Sequence, residues 1–368
     1  MALKKNKKRI KVGIWGLGRA GNNMHTRDIS RFPDEFEIVA GCDLVKERVE
    51  ILQSKFPKAK GYTDSKRFLA DPNIEMVSIA VRSAQHVDYC LRALKAGKIV
   101  FLEKPIALSL KGLKKLQDAV KKYPGKLYFR HNRRFEPCFN HVREIIRRGI
   151  LGEVYEIKLQ RHGYEFRADW QTLQKCGGGQ LNNWGPHIID HALRLLDSPV
   201  DSVWSDLKKV AALGDAEDHL KVILRGKNGR IIDLEISGGV AINGPVYTVY
   251  GTRGTLVSQD GNDIQLKYLN PKMKMPNTPA HEENPPLSGG FGGTIQPQWI
   301  RETIMADPDP ASVHGLENHD IYHYLYQSIR EGKSYPIKPE EAFEVVKTTC
   351  LIKEQNPAFK GIEDEFGK

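Results

Sequence analysis

Apolar and polar residues follow one another along this chain in two regimes. In the first, 9–15 is a β-rich run ending in glycine, and 20–31 mixes polar and apolar residues in helical rhythm. A second strand at 36–42 and a second helix at 46–56 follow. The apolar run at 76–81 has the unbroken hydrophobicity of a strand buried on both faces. The helix predicted at 86–96 turns Leu91, Ala93 and Leu94 inward and stops at Gly97, and 98–102 is again strand-like. Strand–helix alternation at this spacing predicts right-handed βαβ units and a parallel sheet.

The second regime begins after about residue 125. Residues 126–129 predict the last strand of the first unit, and 138–148 a helix bridging to the next. Alternating segments at 154–159, 220–224, 230–236, 247–251 and 255–258 predict an open, mostly antiparallel sheet with helices on one face. Residues 270–297 hold six prolines and four glycines, a long loop of the functional or mobile kind. Strong helical patterns return at 320–331 and 339–355, and the chain has no internal repeat.

Composition narrows the class. At 368 residues the chain is long enough for two domains. Its 40% hydrophobic content excludes a disordered protein, and no apolar run approaches the roughly 18 residues of a membrane span. Five scattered cysteines without C-x-x-C spacing argue against a zinc site or disulfide framework. They fit a reducing compartment, by default the cytoplasm. The formal charge of +11 points first to nucleic acid, but six of the cations lie within the first eleven residues and read as a solvated arm. No apolar segment with a cleavage site follows that arm, so it is not expected to be a signal peptide. No helix-turn-helix, zinc finger or aromatic–basic motif supports a nucleic-acid partner.

Gly16-Leu17-Gly18-Arg19-Ala20-Gly21 is a G-x-G-x-x-G turn between a predicted strand and a predicted helix. Its first glycine permits the tight turn, its second lets a pyrophosphate approach the backbone, and its third lets the helix pack on the strand. The helix N-terminus then offers free N–H groups and a positive dipole end to phosphates. Asp43 ends the second strand, 22 residues beyond Gly21. An acidic side chain there accepts hydrogen bonds from the adenine-ribose hydroxyls and repels a 2′-phosphate, so NAD is favoured over NADP. A helix-capping Asp is the plainer alternative. Residues 1–131 are thus expected to form a Rossmann NAD-binding domain, and 132–368 an α+β domain for substrate binding and oligomerisation.

Phe101-Leu102-Glu103-Lys104-Pro105 lies at the carboxyl end of a predicted parallel strand, where ligands bind in open α/β sheets. Pro105 keeps Lys104 out of helix and permits a cis bond. Further on, Pro186 suits the first turn of a helix that places His187, Asp190 and His191 on one face. Ile188, Ile189, Ala192, Leu195 and Leu196 form its buried stripe. Two histidines and an Asp on one face suggest a metal, but the local sequence supplies no further ligands, so none is expected.

These motifs occur in order with Val77-Ser78-Ile79-Ala80 leading to His86, with Asn132-Arg133-Arg134-Phe135 and with Gly149-Ile150-Leu151-Gly152-Glu153-Val154. Trp170, the triple glycine at 177–179 and Gly251-Thr252-Arg253-Gly254-Thr255-Leu256 complete the set. In these residues the chain resembles the glucose–fructose oxidoreductase / inositol dehydrogenase (Gfo/Idh/MocA) family over most of its length. The resemblance implies a Rossmann domain followed by a domain whose sheet builds a homodimer or homotetramer. It implies an NAD-dependent sugar or polyol dehydrogenase whose partner is a small carbohydrate or polyol, not a membrane. By position, Lys104 matches the family's active-site lysine and His187 its catalytic histidine. The family's Asp four residues before that histidine is Asn183 here, and Val81-Arg82-Ser83 replaces Thr-Pro-Asn. The expected cofactor residues are Gly16, Gly18, Arg19, Ala20, Gly21, Asp43, His86, Glu103, Lys104 and Arg134. The expected substrate-side residues are Lys104, Tyr164, Arg167, Asp169, Trp170, Asn183 and His187.

Oxidising a secondary alcohol needs a hydride acceptor and a base for the hydroxyl proton. His187 is expected to take that proton while Lys104 hydrogen-bonds the same oxygen and stabilises developing alkoxide charge. The cofactor carries the hydride. The expected activity is reversible NAD-dependent oxidation of a ring hydroxyl on a sugar, glycoside or cyclitol. One alternative is a relative that holds and recycles NAD, giving net hydrolysis, lyase or epimerase chemistry. Another is a non-catalytic nucleotide- or sugar-binding protein, against which the retention of Lys104 and His187 argues.

Overall fold

The computed structural model describes residues 8–274, 281–283, 296–306 and 318–367. Six strands form the first sheet: β1 (Ile10–Trp15), β2 (Phe36–Cys42), β3 (Lys60–Tyr62), β4 (Met76–Ile79), β5 (Ile99–Glu103) and β6 (Leu127–Arg130). All pair in parallel, in the order β3-β2-β1-β4-β5-β6, the doubly wound dinucleotide-binding arrangement. β4 and β5 are buried at every position, which is why they read as unbroken apolar runs. The helix after the glycine turn opens differently from expectation, as a π-helical turn Ala20–His25 before the α-helix Thr26–Ser30. The Asn22 amide donates to the carbonyls of Leu17 and Arg48, and the Thr26 hydroxyl to the Asn22 carbonyl at 2.8 Å. These side chains satisfy carbonyls around the widened turn.

The second sheet holds β7 (Val154–His162), β8 (Val200–Lys208), β9 (His219–Gly226), β10 (Ile231–Ser237), β11 (Tyr247–Gly251), β12 (Gly254–Ser258), β13 (Asp263–Leu269) and β14 (Trp299–Met305). Their order is β14-β13-β12-β11-β7-β10-β9-β8, and only the β7–β10 pair is parallel. Ile157, Leu159, Val222, Leu234, Val249 and Leu256 belong to the core formed with helices Pro137–Arg147 and Gly185–Leu196. The edge strands β8 and β14 are largely exposed and carry no clean alternation, so their pattern does not mark them as strands. Within the loop expected at 270–297, residues 275–280 and 284–295 lie outside the described residues.

The chain then returns to the first sheet. Helix Ile321–Glu331 packs Ile321, Tyr322 and Leu325 with Ile10, Phe36 and Phe101. Helix Pro339–Gln355 lays Ala342, Phe343 and Val346 on the first core and Val345 and Ile352 on the second. This segment therefore joins the two units. No described helix is long and apolar enough to cross a membrane.

Candidate active site

The glycine turn has the form of a phosphate cradle. Gly16 has φ +96°, and a Cβ there would meet the Ala80 carbonyl at 2.6 Å. A Cβ on Gly21 would collide with the Gly16 carbonyl oxygen. Gly18 is different, because nothing lies within 4 Å of its added Cβ. Gly16 and Gly21 are thus needed by the fold, while Gly18 leaves the backbone open to a ligand. Asp43 sits at the end of β2 with Oδ2 accepting from Leu17 N at 2.7 Å and Oδ1 from Val45 N at 3.0 Å. It pins the glycine turn to the strand end, and Arg48 Nη1 lies 3.5 Å from it. Arg19 is exposed and Ala20 half-buried at the head of the helix. These groups fit a dinucleotide.

Lys104 follows β5 and is joined to Pro105 by a cis peptide bond. Its Nζ donates to the backbone carbonyl of Asn183 at 2.7 Å. Burial first, then the cations Arg133, Arg130 and Arg19, bring its amine down to about 8 against the pull of Glu103. Glu103 itself is buried in a polar network that the sequence did not reveal. Its Oε1 accepts from Arg130 Nη1 at 2.7 Å and lies 3.1 Å from His25 Nε2, and its Oε2 accepts from Lys104 N at 3.0 Å. Arg130 also donates to Asp28 at 2.6 Å, and His25 Nδ1 lies 2.5 Å from the Tyr322 hydroxyl. Burial would raise the Glu103 carboxyl, but Arg130, His25 and Lys104 outweigh it and hold it low. His86 is equally enclosed, with Nδ1 2.7 Å from the Pro105 carbonyl and Nε2 3.1 Å from that of Val81. Glu103 and His86 therefore brace the loop of Lys104 from behind.

Helix Gly185–Leu196 separates His187, Asp190 and His191. His187 is 7% exposed and edge-on to Trp184 at 6.2 Å, and its Nδ1 has no hydrogen-bond partner among the described residues. Burial, then Lys104, Arg133, His131 and His191, hold its pKa well below the ordinary value. Asp190 instead receives Arg134, through Nε at 2.9 Å and through Nη2, while Arg134 Nη1 goes to Glu341. His191 stacks on Phe139 at 3.8 Å and bonds Tyr247 and the Arg133 carbonyl. His187 lies within electrostatic reach of Lys104, while Asp190 and His191 have partners of their own. No group of three His, Cys, Asp or Glu placed to hold a metal occurs among the described residues.

The substrate-side candidates divide in the same way. Arg167 bonds Asp169 at 2.9 Å and also Gln171, whose amide reaches Asn183 Oδ1 at 3.5 Å. Asn183 thus links this cluster to Lys104, through its carbonyl and not its side chain. Trp170 is 36% exposed with Arg82 4.9 Å over its ring, so it is not a core tryptophan. Tyr164 is 53% exposed, edge-on to Phe166, and has no described contact with Lys104 or His187. A polar groove whose lining includes Arg133, Glu136, Arg161, Arg167 and Trp184 adjoins a small cleft bordered by Gln171, Asn183 and Glu217.

Arg133 escaped the sequence reading. The turn Asn132–Phe135 is 3₁₀, so its neighbouring arginines diverge. Arg134 goes to Asp190, while Arg133 lies 4.2 Å over Trp184 and depresses both Lys104 and His187. The consecutive arginines were visible, but not which one faces the site.

Comparison with known proteins gives the family and the fold. Residues 10–131 match the model described as oxidoreductase family, NAD-binding Rossmann fold, and 139–257 match the GFO/IDH/MocA C-terminal domain. The chain is 26% identical to the scyllo-inositol 2-dehydrogenase (NADP(+)) of Bacillus subtilis, over 92% of this chain and 91% of that protein. It is 31% identical to an uncharacterized oxidoreductase of Schizosaccharomyces pombe, over 77% of this chain and 76% of that one. The fold matches an NAD-binding protein from Listeria innocua with a TM-score of 0.77 at 24% identity, covering 97% of each chain. With both of its domain models matched and a relative above 30% identity along most of its length, the protein belongs to the Gfo/Idh/MocA family of oxidoreductases.

Proposed function

We propose that the protein is an NAD(P)-dependent dehydrogenase acting on a ring secondary alcohol of a sugar, glycoside or cyclitol, with Lys104 and His187 at the reacting oxygen. The observation that carries this reading is Lys104: a lysine brought to about 8 at the carboxyl end of β5, near Arg19 of the glycine turn and near His187. An amine of that strength exchanges protons close to neutral pH, where general acid–base catalysis is most effective. His187 has cations around it, and Asn183 supplies no carboxylate to hold an imidazolium. The division of labour we favour is therefore the reverse of the one expected from the sequence. Lys104 takes the hydroxyl proton in oxidation and returns it in reduction, while neutral His187 hydrogen-bonds the same oxygen. Because the carbonyl of Asn183 holds Lys104, an amide in place of the family's carboxylate leaves that anchor intact.

A dinucleotide held along Gly16, Gly18, Arg19 and Gly21 would supply the hydride acceptor. Asp43 supports NAD, since its carboxylate would repel a 2′-phosphate. The relative named for NADP(+) and the nearby Arg48 keep the second nucleotide in the test. The polar groove and the scyllo-inositol relative support a polyhydroxylated ring as substrate. Exposed Tyr155, Trp204 and Trp299 on the second sheet support its use in a homodimer or homotetramer. Five free cysteines support a reducing, cytoplasmic setting. The test is a panel of inositols, aldoses and glycosides with NAD or NADP, followed by NADH absorbance and product analysis. Reduced nucleotide formed with at least one ring alcohol is the expected result. Substrate conversion without it points to recycled nucleotide, and nucleotide binding with no conversion of any substrate overturns the reading.

A further inference from the structure

The loop that follows Lys104 is held by two buried charges from the end of the chain. Asp364 Oδ1 accepts from Leu108 N at 2.9 Å, and Oδ2 accepts from the Ser109 hydroxyl at 2.5 Å. Lys353 Nζ donates to the carbonyl of the same Leu108 at 3.3 Å. Lys353 and Asp364 are only 5% and 8% exposed. Burying two ionisable side chains is costly unless they are hydrogen-bonded, and here both spend hydrogen bonds on the peptide groups of one residue. Helix capping does not account for it, because Ser109 already caps helix Leu110–Lys122 through Gly112 N at 3.0 Å.

The same segment also reaches two other stretches of chain near Lys104. Glu365 N donates to the Ala84 carbonyl at 2.7 Å, on the loop that ends in His86. His86 in turn grips the Pro105 carbonyl. Phe366 packs on the first core with Lys115 Nζ 4.2 Å over its ring. Gly177 abuts both Leu108 and Ile362: a Cβ on it would lie 3.1 Å and 3.7 Å from their side chains. Gly177 begins the glycine run leading to Asn183, whose carbonyl receives Lys104 Nζ. The two chain segments joined at that hydrogen bond therefore both rest on the C-terminal segment.

We propose that Lys353 and Asp364 are positioning residues that clamp the two peptide groups of Leu108 and so fix where Lys104 Nζ sits. The proposal rests on the reading of Lys104 as the group at the reacting oxygen. The double variant Lys353→Met/Asp364→Asn removes both charges at near-constant volume, and Asp364→Asn alone is the milder form. Four quantities are read on the full chain: kcat, nucleotide Kd, the unfolding midpoint, and the pH dependence of Lys104 acylation by peptide mass spectrometry. A displaced general base costs on the order of 10- to 100-fold in kcat. The double variant should show that loss with nucleotide Kd little changed, and its Lys104 acylation midpoint should move from the wild-type value. Asp364→Asn should move both in the same direction by less, which keeps the test alive if the double variant does not fold. Unchanged kcat and an unchanged acylation midpoint, with only a lower unfolding temperature, overturn the clamp. If the wild type turns over no substrate, the proposed function fails by itself, and the acylation midpoint still decides the clamp.

Discussion

Replacing Lys104 with Met should stabilise the protein and inactivate it at once. The amine is brought from its ordinary 10.5 to about 8, chiefly by burial. That difference of about 2.5 units is a cost to the folded state of about 3 kcal/mol, at about 1.4 kcal/mol per unit. The sign follows from proton counting. Between about pH 8 and pH 10.5 the unfolded chain binds more protons than the folded one, so stability rises with pH across that window. The cost is fully present below about pH 8. Methionine keeps the length of the stem, removes the charge and forfeits the hydrogen bond to the Asn183 carbonyl, worth about 1 kcal/mol. Lys104→Met should therefore be more stable by about 2 kcal/mol near neutral pH, with the gain shrinking to nothing near pH 10. Urea unfolding of both proteins near pH 7 and again above pH 9 reads this as a shift in midpoint at constant slope. A variant less stable than its parent at neutral pH, or a difference independent of pH, refutes the depressed amine. Loss of turnover with nucleotide binding retained is the functional half of the same experiment.

Other outcomes follow from the same geometry. Oxidation kcat/KM should rise about tenfold per pH unit below about 8 and level off above it, with the reverse reaction falling through the same pH. His187→Gln should lower the rate but keep that limb, whereas a limb lost with His187 returns the proton to the imidazole. Gly18→Ala should fold normally and bind nucleotide at least about tenfold more weakly, as a calorimetric titration would show. Gly21→Ala should lose folded protein outright, because its Cβ meets the Gly16 carbonyl. Asp190→Asn should destabilise by about 2 kcal/mol, seen in denaturant unfolding, since it leaves Arg134 with Glu341 as its remaining charged partner. Asp43→Ser should narrow the preference for NAD over NADP in competition assays, and an unchanged ratio would remove Asp43 from nucleotide choice.

What could be read in the sequence was local. The strand–turn–helix around Gly16, Gly18 and Gly21 and the buried runs of β4 and β5 are written within a few residues, and the structure has them there. The helix carrying His187 was legible for the same reason, since Pro186 starts it and the apolar stripe repeats along it. The missing pieces are long-range. Asp28, His25, Glu103, Arg130 and Tyr322 form one buried network although they come from four separate parts of the chain, and no spacing rule connects them. Lys353 and Asp364 reach Leu108 across more than 240 positions. The choice between Arg133 and Arg134 turned on the phase of a single 3₁₀ turn, which periodicity cannot set over four residues.

That long-range pairing also explains why neighbouring buried cations behave so differently. Arg130 is almost fully enclosed, and burial alone would weaken its hold on a proton. Glu103 and Asp28 reverse the effect, and Asp190 and Glu341 do the same for Arg134. Among the described residues no carboxylate lies within ion-pairing distance of Lys104 Nζ, whose hydrogen-bond partner is a neutral carbonyl. Glu103, its sequence neighbour, spends its oxygens on Arg130, His25 and the Lys104 backbone N–H. The nearby arginines then act on the amine only as repelling charges. A residue surrounded by ions is left with a mobile proton because it is buried and the carboxylate nearest to it is hydrogen-bonded elsewhere, so its pull does not offset that burial. Any substitution that frees Glu103 from Arg130 should therefore raise the Lys104 pKa and slow oxidation at neutral pH. Arg130→Met is the direct case, read by the midpoint of Lys104 acylation against pH, and a midpoint that stays put or falls would break this account.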